Sequence, residues 1–365
     1  MKISLRCDAS IAIGTGHVMR CLTLARVLRD AGGDCHFITR AHSGHLADRI
    51  KAEGYSLTLL GAPQGSAPEG PPSHAPWAGV PWEQDAHETR DALIPDRPDW
   101  LVVDHYAFDA RWHYAVRPVC DRLMVIDDLA DRPLSCDLLL DQNLGREVSD
   151  YDALVPAECT RLIGPQFALL RPEFRQHRVA GIARRRSSSL SRMLVTMGGV
   201  DSGNNMEDVL DALCRIELPD GLRVTVVMGA GAPYLAQIEA RLHSLPFDAE
   251  LLIDVDDMAQ LMVQCDLAIS ASGLIVYELA CMGVPMLLLP VSDIQRHVAR
   301  EVARITQAHV AEDWLIDPVS QIASEIQAWF KDMNSRKIVD PDSNNLINGT
   351  GSLQVLRSII EVTNV

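Results

Sequence analysis

Short apolar runs alternate with helix-patterned segments along nearly the whole chain. In the first half these runs predict β-strands at residues 2–5, 35–39, 56–60, 100–103, 123–126 and 138–140. In the second half they recur at residues 193–196, 224–227, 250–253, 267–270 and 286–289. The runs are continuous in Val, Ile and Leu rather than alternating, which is typical of strands buried on both faces. The pattern therefore predicts an α/β protein built on parallel sheets.

A basic, Ser-rich segment at residues 181–192 separates the two sets of strands. Its composition is typical of an interdomain linker. We therefore expect two Rossmann-like domains facing a cleft, at residues 1–180 and 193–365, with ligands at the C-terminal ends of the strands. This division also allows the last helix to pack back on the N-terminal domain.

The stretch after the third strand, residues 61–82, contains six prolines and four glycines. Long irregular connections of this kind are usually mobile surface loops. Because this one follows the end of a strand, a functional lid over the ligand site is the alternative. The sequence leaves both interpretations open.

Composition and charge narrow the class of ligand. The 365-residue chain has a formal net charge of −16, which argues against nucleic-acid and anionic-membrane partners but not against an anionic nucleotide. The chain has no apolar run of roughly 18 residues and no secretory-signal pattern, so we expect a cytoplasmic protein, which can work as a monomer. Its nine cysteines form no CxxC pair, so we expect reduced thiols, no metal site and no cofactor.

The first strand leads into a turn of small residues, Gly14-Thr15-Gly16, and then into a predicted helix that begins with His17. The free backbone N–H groups and the dipole of a helix N-terminus favour an anion there. His17 adds a group that exchanges protons near neutral pH. The turn lacks the third glycine of a dinucleotide fingerprint, so its glycines could equally serve backbone geometry alone.

The second half repeats this arrangement. Met197-Gly-Gly-Val-Asp201 follows one strand, and Ser270-Ala-Ser-Gly273 follows another and enters a helix that carries Glu278. The serine turn is a second candidate anion site. A carboxylate at Glu278 can accept two hydrogen bonds from a ribose diol, although a solvated helix glutamate is the simpler interpretation of this residue alone.

The ordered set of motifs resembles a known family. The N-terminal motif is Arg6-x-Asp8-Ala-Ser10 followed by Ile13-Gly-x-Gly16-His17-x-x-Arg20-Cys21. Further motifs are Val103-Asp-His-Tyr106, Ile126-Asp-Asp128, Cys136-Asp-Leu-Leu-Leu-Asp-Gln-Asn143, Phe167-Ala-Leu-Leu-Arg171-Pro-Glu-Phe174, Met197–Asp201 and Ser270–Gly273. Together they look like a glycosyltransferase-B (GT-B) fold and resemble the UDP-sugar hydrolases of pseudaminic acid biosynthesis. Those enzymes act on UDP-2,4-diacetamido-2,4,6-trideoxy-β-L-altropyranose.

The resemblance implies a reaction at C1 of the sugar and roles for single residues. His17 matches the family's catalytic histidine, the base that activates water, so that the bond to UDP breaks with inversion. A helix N-terminus disfavours the imidazolium and keeps the ring able to accept a proton. Tyr106 matches a residue that lines the sugar site beside the histidine. Asp104 could orient partners or, with His105, simply cap the end of a strand.

The resemblance also implies a set of substrate-binding residues. Asn143 matches, and its amide suits the acetamido groups, while Glu278 matches the ribose-binding acid of this fold. We expect backbone and side-chain donors to hold the charge of UDP without a metal ion. The other residues expected to bind substrate are Asp8, Gly14, Gly16, Arg20, Asp104, Gly198, Gly199, Ser272, Gly273 and Gln295.

The sequence departs from the family pattern at two places. Leu274 and Ile275 stand where Ser or Thr often follows the glycine, so phosphate binding would depend more on backbone N–H groups and Ser272. Ile294-Gln295 replaces an Asn-Gln pair, so an amide is missing or displaced. The second departure bears on the identity of the sugar more than on the class of reaction.

Three other functions stay open on this fold. A GT-B glycosyltransferase would use an acceptor hydroxyl in place of water. A hydrolysing 2-epimerase would also need groups that take the proton at C2, and a nucleotide-sugar sensor would bind without turnover. The ordered motifs favour hydrolysis, with UDP and the free sugar as products.

Overall fold

The computed structural model describes residues 1–65, 67–186, 190–306, 308–335 and 346–364. The chain divides into two compact units, one formed by Met1–Leu169 together with Thr350–Val365 and the other by Leu170–Gly349. Each unit is a parallel β-sheet flanked by helices. All eleven strands predicted from the apolar runs are present.

The first unit contains a seven-stranded sheet with the order β3-β2-β1-β4-β5-β6-β7. Its strands are β1 Lys2–Cys7, β2 Asp34–Arg40, β3 Ser56–Leu60, β4 Trp100–Asp104, β5 Arg122–Ile126, β6 Leu138–Asp141 and β7 Thr160–Ile163. Its first helices are α1 Gly16–Asp30, α2 Ala47–Ala52, α3 Trp82–Leu93 and α4 Ala110–Val116. All strand pairs are parallel, so the carboxyl ends of the strands meet at one edge of the sheet.

Burial on both faces of this sheet explains its continuous apolar strands. On β4, Val102 packs into one hydrophobic cluster with Leu5, whereas Leu101 and Val103 pack into another on the opposite face. Successive residues of a strand point to opposite faces, so both sets of positions must be apolar. Strand β7 was not predicted because polar Thr160 and Arg161 make up half of it.

The second unit contains a six-stranded parallel sheet with the order β10-β9-β8-β11-β12-β13. Its strands are β8 Arg192–Thr196, β9 Arg223–Met228, β10 Ala249–Ile253, β11 Leu267–Ser270, β12 Met286–Leu288 and β13 His309–Val310. Its helices are α5 Pro172–Arg185, α6 Asn205–Cys214, α7 Leu235–Leu242, α8 Met258–Gln264, α9 Ile275–Met282, α10 Asp293–Ile305 and α11 Pro318–Ser335.

The segment predicted as a linker differs from that expectation. Helix α5 extends through residues 181–185, and Arg192 already begins β8. The Arg185 side chain is buried and donates to the carbonyl oxygens of Met262 (2.9 Å) and Cys265 (3.0 Å), so this basic residue packs within the second unit. Residues 187–189 of the predicted linker lie outside the described residues.

The last helix, α12 Gly351–Thr363, belongs to the first unit and packs against α1. Trp100 Nε1 donates a hydrogen bond of 2.8 Å to Thr363 Oγ1, which ties the end of α12 to β4. Across the described ranges, every helix is too short or too polar to cross a membrane.

Candidate active site

The turn between β1 and α1 places His17 at a helix N-terminus, as the sequence predicts. Ser10 Oγ accepts hydrogen bonds from the backbone N–H groups of Ala12 (3.2 Å) and Ile13 (2.9 Å). Gly14 has a φ of 82°, a left-handed conformation that favours glycine. Helix α1 then begins at Gly16, so His17 lies in its first turn, where backbone N–H groups lack intrahelical partners.

His17 forms a dyad with Asp104. Its Nδ1 lies 2.6 Å from Asp104 Oδ1, and the His17 side chain is only 8% exposed. Arg20, one turn further along α1, donates from Nε to Asp104 Oδ2 and from Nη2 to Asp104 Oδ1, each at 2.6 Å. A carboxylate only accepts, so Nδ1 donates and a neutral His17 ring keeps its acceptor lone pair on Nε2.

The charge of Asp104 is secured by Arg20. Burial alone would raise the pKa of this carboxyl, but the Arg20 guanidinium and the hydrogen bonds from Arg20 and His17 hold the pKa well below its usual range. Asp104 is therefore ionised at neutral pH and can stabilise a positive charge on His17. The structure thus favours the orienting role for Asp104 over simple capping of the strand.

Asp128 is a second carboxylate at this site, and it accepts hydrogen bonds from three side chains. Its Oδ2 accepts from the Tyr106 hydroxyl and from Arg20 Nη1 (2.7 Å), while Asn143 Nδ2 donates to its Oδ1 at 2.7 Å. Burial, together with the charge of Asp128, raises the pKa of Tyr106, so its hydroxyl stays protonated. Asp128 belongs to one of the motifs in the sequence, but its contact with Arg20 could be identified only from the structure.

The proline-rich loop contacts this site. Apart from Ser66, which lies outside the described residues, residues 61–82 are described, and Ala75–Ala78 form a 3₁₀ helix. The Trp77 ring stacks on Tyr106 at 5.5 Å between centroids, and its centroid lies 6.1 Å from that of the His17 ring. This favours the lid interpretation of the loop. An aromatic residue inside a proline- and glycine-rich stretch was the only sequence signal for Trp77.

Asp8 lies inside the first unit rather than on its surface. Its side chain is fully buried, and Oδ1 accepts from Arg6 Nη1 (2.6 Å), Thr39 Oγ1 (3.1 Å) and the backbone N–H of Arg40 (2.7 Å). Among the described residues no hydrogen bond joins Asp8 to His17. The geometry therefore gives Asp8 a supporting place behind the ends of β1 and β2, and its expected contact with substrate stays a prediction.

In the second unit, Ser272, Gly273 and Gln295 lie together at the end of β11. Gln295 Oε1 accepts from the backbone N–H groups of Ser272 and Val291, each at 3.2 Å. Ser272 Oγ is buried and has no hydrogen-bond partner within the described part of the chain. A Cβ at Gly273 would have no atom of the described residues within 4 Å, so the space beside this glycine is open.

Glu278 lies in the first turn of α9, which follows this serine turn. Burial raises the pKa of its carboxyl to about 7, although the Arg171 charge acts in the opposite direction. The carboxyl therefore changes its charge within the physiological pH range. Within the described segments, no group of three or more His, Cys, Asp or Glu side chains is arranged to hold a metal ion.

The turn after β8 is fixed by its backbone. Gly198 has a φ of 92°, and the carbonyl of Gly199 accepts a hydrogen bond of 3.1 Å from the backbone N–H of Gly229. Asp201 then accepts from the backbone N–H groups of Asn205 (3.0 Å) and Met206 (2.9 Å) at the start of α6. The first backbone N–H groups of α6 are thus satisfied by the Asp201 carboxylate rather than by the N-cap residue Asn204.

The chain is similar in sequence to several known proteins. No family model matches the chain. A UDP-2,4-diacetamido-2,4,6-trideoxy-β-L-altropyranose hydrolase from Campylobacter jejuni is 27% identical over 278 residues, 75% of this chain and 86% of the relative. This similarity confirms the resemblance that the motifs indicated. A UDP-N-acetylglucosamine–N-acetylmuramyl-(pentapeptide) pyrophosphoryl-undecaprenol N-acetylglucosamine transferase from Thiobacillus denitrificans is 35% identical, but over 38% of this chain and 37% of its own length.

Solved structures share the fold. MurG of Acinetobacter baumannii matches with a TM-score of 0.65 at 16% identity, over 99% of both chains. A UDP-GlcNAc 2-epimerase from Neisseria meningitidis, bound to UDP-GlcNAc, matches with a TM-score of 0.60 at 11% identity, over 99% of this chain and all of that one. With the two parallel sheets, these likenesses confirm the predicted GT-B fold.

Proposed function

We propose that this protein hydrolyses a UDP-linked diacetamido-trideoxy sugar at C1 with inversion, releasing UDP and the free sugar in the biosynthesis of nonulosonic acids such as pseudaminic acid. The observation that carries the proposal is the dyad of His17 and Asp104, which leaves Nε2 of a neutral imidazole as a proton acceptor. The similarity to the Campylobacter jejuni hydrolase supports the choice of substrate class.

In the proposed mechanism His17 is the general base. Nε2 takes a proton from water as the water oxygen bonds to C1 on the face opposite UDP, and the C1–O bond to UDP breaks with its electron pair going to the diphosphate. Attack from the opposite face inverts the configuration at C1. Asp104 stabilises the imidazolium that forms, and Arg20 keeps Asp104 ionised.

Tyr106 and Asn143 act around Asp128 in this scheme. The Tyr106 ring packs against the His17 ring, and Asp128 holds its hydroxyl, which can orient the sugar or the attacking water. The Asn143 amide nitrogen already donates to Asp128 and Asp141, so Asn143 acts by positioning the Asp128 carboxylate. The Gly14–Gly16 turn supplies backbone groups beside the histidine.

The second unit holds UDP in this proposal. The diphosphate charge is stabilised by the backbone N–H groups at Gly273 and at the Gly198–Gly199 turn. The Ser272 hydroxyl, which has no hydrogen-bond partner among the described residues, adds a further donor. Gln295 orients the Ser272 turn, and Glu278 accepts hydrogen bonds from the ribose. These donors replace a metal ion, so activity should persist in EDTA.

The test is turnover by the purified protein with the UDP-sugar and no acceptor. The proposal expects stoichiometric UDP and free sugar, with the inverted anomer as the first product in the NMR spectrum, and equal rates with and without EDTA. A retained anomer or loss of activity in EDTA would contradict those parts of the mechanism. A product epimerised at C2 would identify a hydrolysing 2-epimerase instead.

A glycosyltransferase is the second candidate, and one observation favours it. The transferase of Thiobacillus denitrificans has a higher identity to this chain than the hydrolase has, although over half the length. In that case UDP would appear only after an acceptor is added. UDP release in the absence of an acceptor therefore separates the two functions.

A further inference from the structure

We infer that Trp77 makes this site selective for water, because its indole occupies the approach that a larger acceptor alcohol would need to reach His17. The inference rests on the proposed hydrolysis at C1 and identifies the residue that determines which nucleophile reacts there. Trp77 lies in the loop at residues 61–82, to which neither the sequence motifs nor the relatives assign a role.

The position of Trp77 against the base supports this inference. The nucleophile must reach Nε2, because Nδ1 of His17 is engaged with Asp104. Two aromatic rings meet the His17 ring with their planes nearly perpendicular to it: Tyr106 at 4.6 Å and Trp77 at 6.1 Å between centroids. Only 8% of the His17 side chain is exposed, so an acceptor larger than water would compete with these two rings for the space beside the base.

The indole is held by contacts on several sides. It stacks on Tyr106 with an interplanar angle of 25°, and the Tyr106 hydroxyl is fixed by Asp128. The His74 ring meets the indole at 4.8 Å with an interplanar angle of 75°. The Trp77 side chain is therefore packed against Tyr106 and His74 beside the base rather than freely exposed.

The loop that carries Trp77 is also anchored at both ends of its 3₁₀ helix. Before the helix, Arg111 Nη2 donates a hydrogen bond of 2.8 Å to the carbonyl of Pro71. After it, Gly79 has a φ of 72°, and a Cβ there would lie 2.6 Å from Pro63 Cγ and 2.8 Å from His42 Cε1. Close packing at Gly79 and the bond at Pro71 keep the indole in place.

Water and alcohols would follow the same chemistry at this site. In both reactions Nε2 takes the O–H proton, the oxygen bonds to C1, and the C1–O bond to UDP breaks. Methanol would give a methyl glycoside, UDP and a proton, with no additional reactant. Only the group carried by the attacking oxygen differs, so removing the indole should admit alcohols without any new catalytic group.

The experiment measures the ratio of alkyl glycoside to free sugar. Wild type, Trp77→Ala and Tyr114→Ala turn over the UDP-sugar in buffer containing methanol or glycerol, and mass spectrometry quantifies both products. Tyr114 is the control, because it is an aromatic residue on α4 that is 65% exposed. Among the described ring contacts, none joins Tyr114 to His17 or to Trp77.

The inference expects free sugar as the main product of wild type and of Tyr114→Ala. Trp77→Ala should raise the ratio by at least about tenfold, or ~1.4 kcal/mol in relative barrier, and more for glycerol than for methanol. An unchanged ratio in a Trp77→Ala enzyme that still hydrolyses the substrate would overturn the inference. No turnover by wild type would instead overturn the proposed function.

A second variant covers the case in which Trp77→Ala disrupts the loop. Trp77→Leu keeps an apolar side chain against Tyr106 and should raise the same ratio by a smaller factor. The ratio does not depend on how much of the enzyme is folded, so partial loss of protein leaves the readout intact. A ratio equal to that of wild type in Trp77→Leu and Trp77→Ala would count against the inference.

Discussion

Nδ1 of His17 lies 2.6 Å from Oδ1 of Asp104, although 87 residues separate them in the chain. The sheet topology explains this proximity. Strands β1 and β4 are neighbours, with Cys7 opposite Asp104 in the register, and α1 starts shortly after β1 ends. The dyad is therefore formed by the parallel fold itself, at the edge where Rossmann-like sheets bind ligands.

Asp104→Asn should reduce kcat by about 10²-fold or more, because it removes the charge that stabilises protonated His17. It also leaves Arg20 with one carboxylate partner, Asp128. UDP affinity should not change. Asp121→Asn, at an exposed carboxylate that pairs only with Arg97 among the described ion pairs, is the control and should keep the wild-type kcat. Equal kcat values for Asp104→Asn and wild type would refute the role of the dyad.

Gly273→Ala should weaken UDP binding by about tenfold or more without lowering thermal stability. An added Cβ at Gly273 would have no atom of the described residues within 4 Å, so it should obstruct only a bound diphosphate. Gly231→Ala is the matched control, because a Cβ there also meets nothing within 4 Å. Calorimetric titration with UDP and a thermal melt measure the two effects. If Gly273→Ala binds UDP as tightly as wild type, the diphosphate does not bind at this turn.

UDP affinity should rise between pH 6 and 8 through Glu278. Its pKa of about 7 means that the carboxyl becomes ionised over this range, and the ionised form is the better acceptor for ribose hydroxyls. Ionisation of UDP itself affects all variants alike, so the test is the difference between wild type and Glu278→Gln. The exposed Glu239→Gln should follow wild type. Parallel pH profiles for wild type and Glu278→Gln would contradict this assignment.

The same pKa sets the sign of a stability effect. The Glu278 carboxyl binds its proton more tightly in the folded protein, with a pKa of about 7, than its usual value of 4.5 allows in the unfolded chain. Its contribution to stability is therefore complete below pH 4.5 and is lost as the pH rises to about 7. Urea unfolding should show a smaller decrease over this window in Glu278→Gln than in wild type.

Asp85→Ala should destabilise the first unit by about 3–5 kcal/mol, because it leaves two buried arginines without a shared carboxylate. Asp85 Oδ2 lies 2.7 Å from both Arg6 Nη2 and Arg40 Nη2, and all three side chains are buried. Glu83→Ala, on the exposed side of α3, should change the urea midpoint little. An Asp85→Ala midpoint equal to that of Glu83→Ala would show that the network adds no stability.

Apolar patterning predicted the two sheets because buried parallel strands require continuous Val, Ile and Leu. The same logic predicted His17 at the start of a helix. The linker was misplaced because arginines usually mark exposed segments, whereas Arg185 is buried through its bonds to backbone carbonyls. Pro172 at the first position of α5 and buried Phe174 and Ile182 were the signals of a packed helix.

Side-chain partners were harder to predict than elements. Asp8 and Asp128 both lie in the sequence motifs, which do not distinguish their roles. The structure shows that Asp8 forms a buried ion pair with Arg6, whereas Asp128 pairs with Arg20 and accepts a hydrogen bond from Tyr106. The position of Trp77 depends on the path by which an irregular loop returns to the edge of the sheet. No periodicity describes such a loop, so its contact with His17 could not be derived from the sequence.

The most direct test of the central claim is single-turnover UDP release by His17→Ala. Removal of the proposed base should slow release by about 10²-fold or more, while UDP affinity stays at the wild-type value. His87→Ala, at an exposed position on α3, should match wild type. If His17→Ala releases UDP from the sugar as fast as wild type, His17 is not the base and the proposed mechanism is wrong.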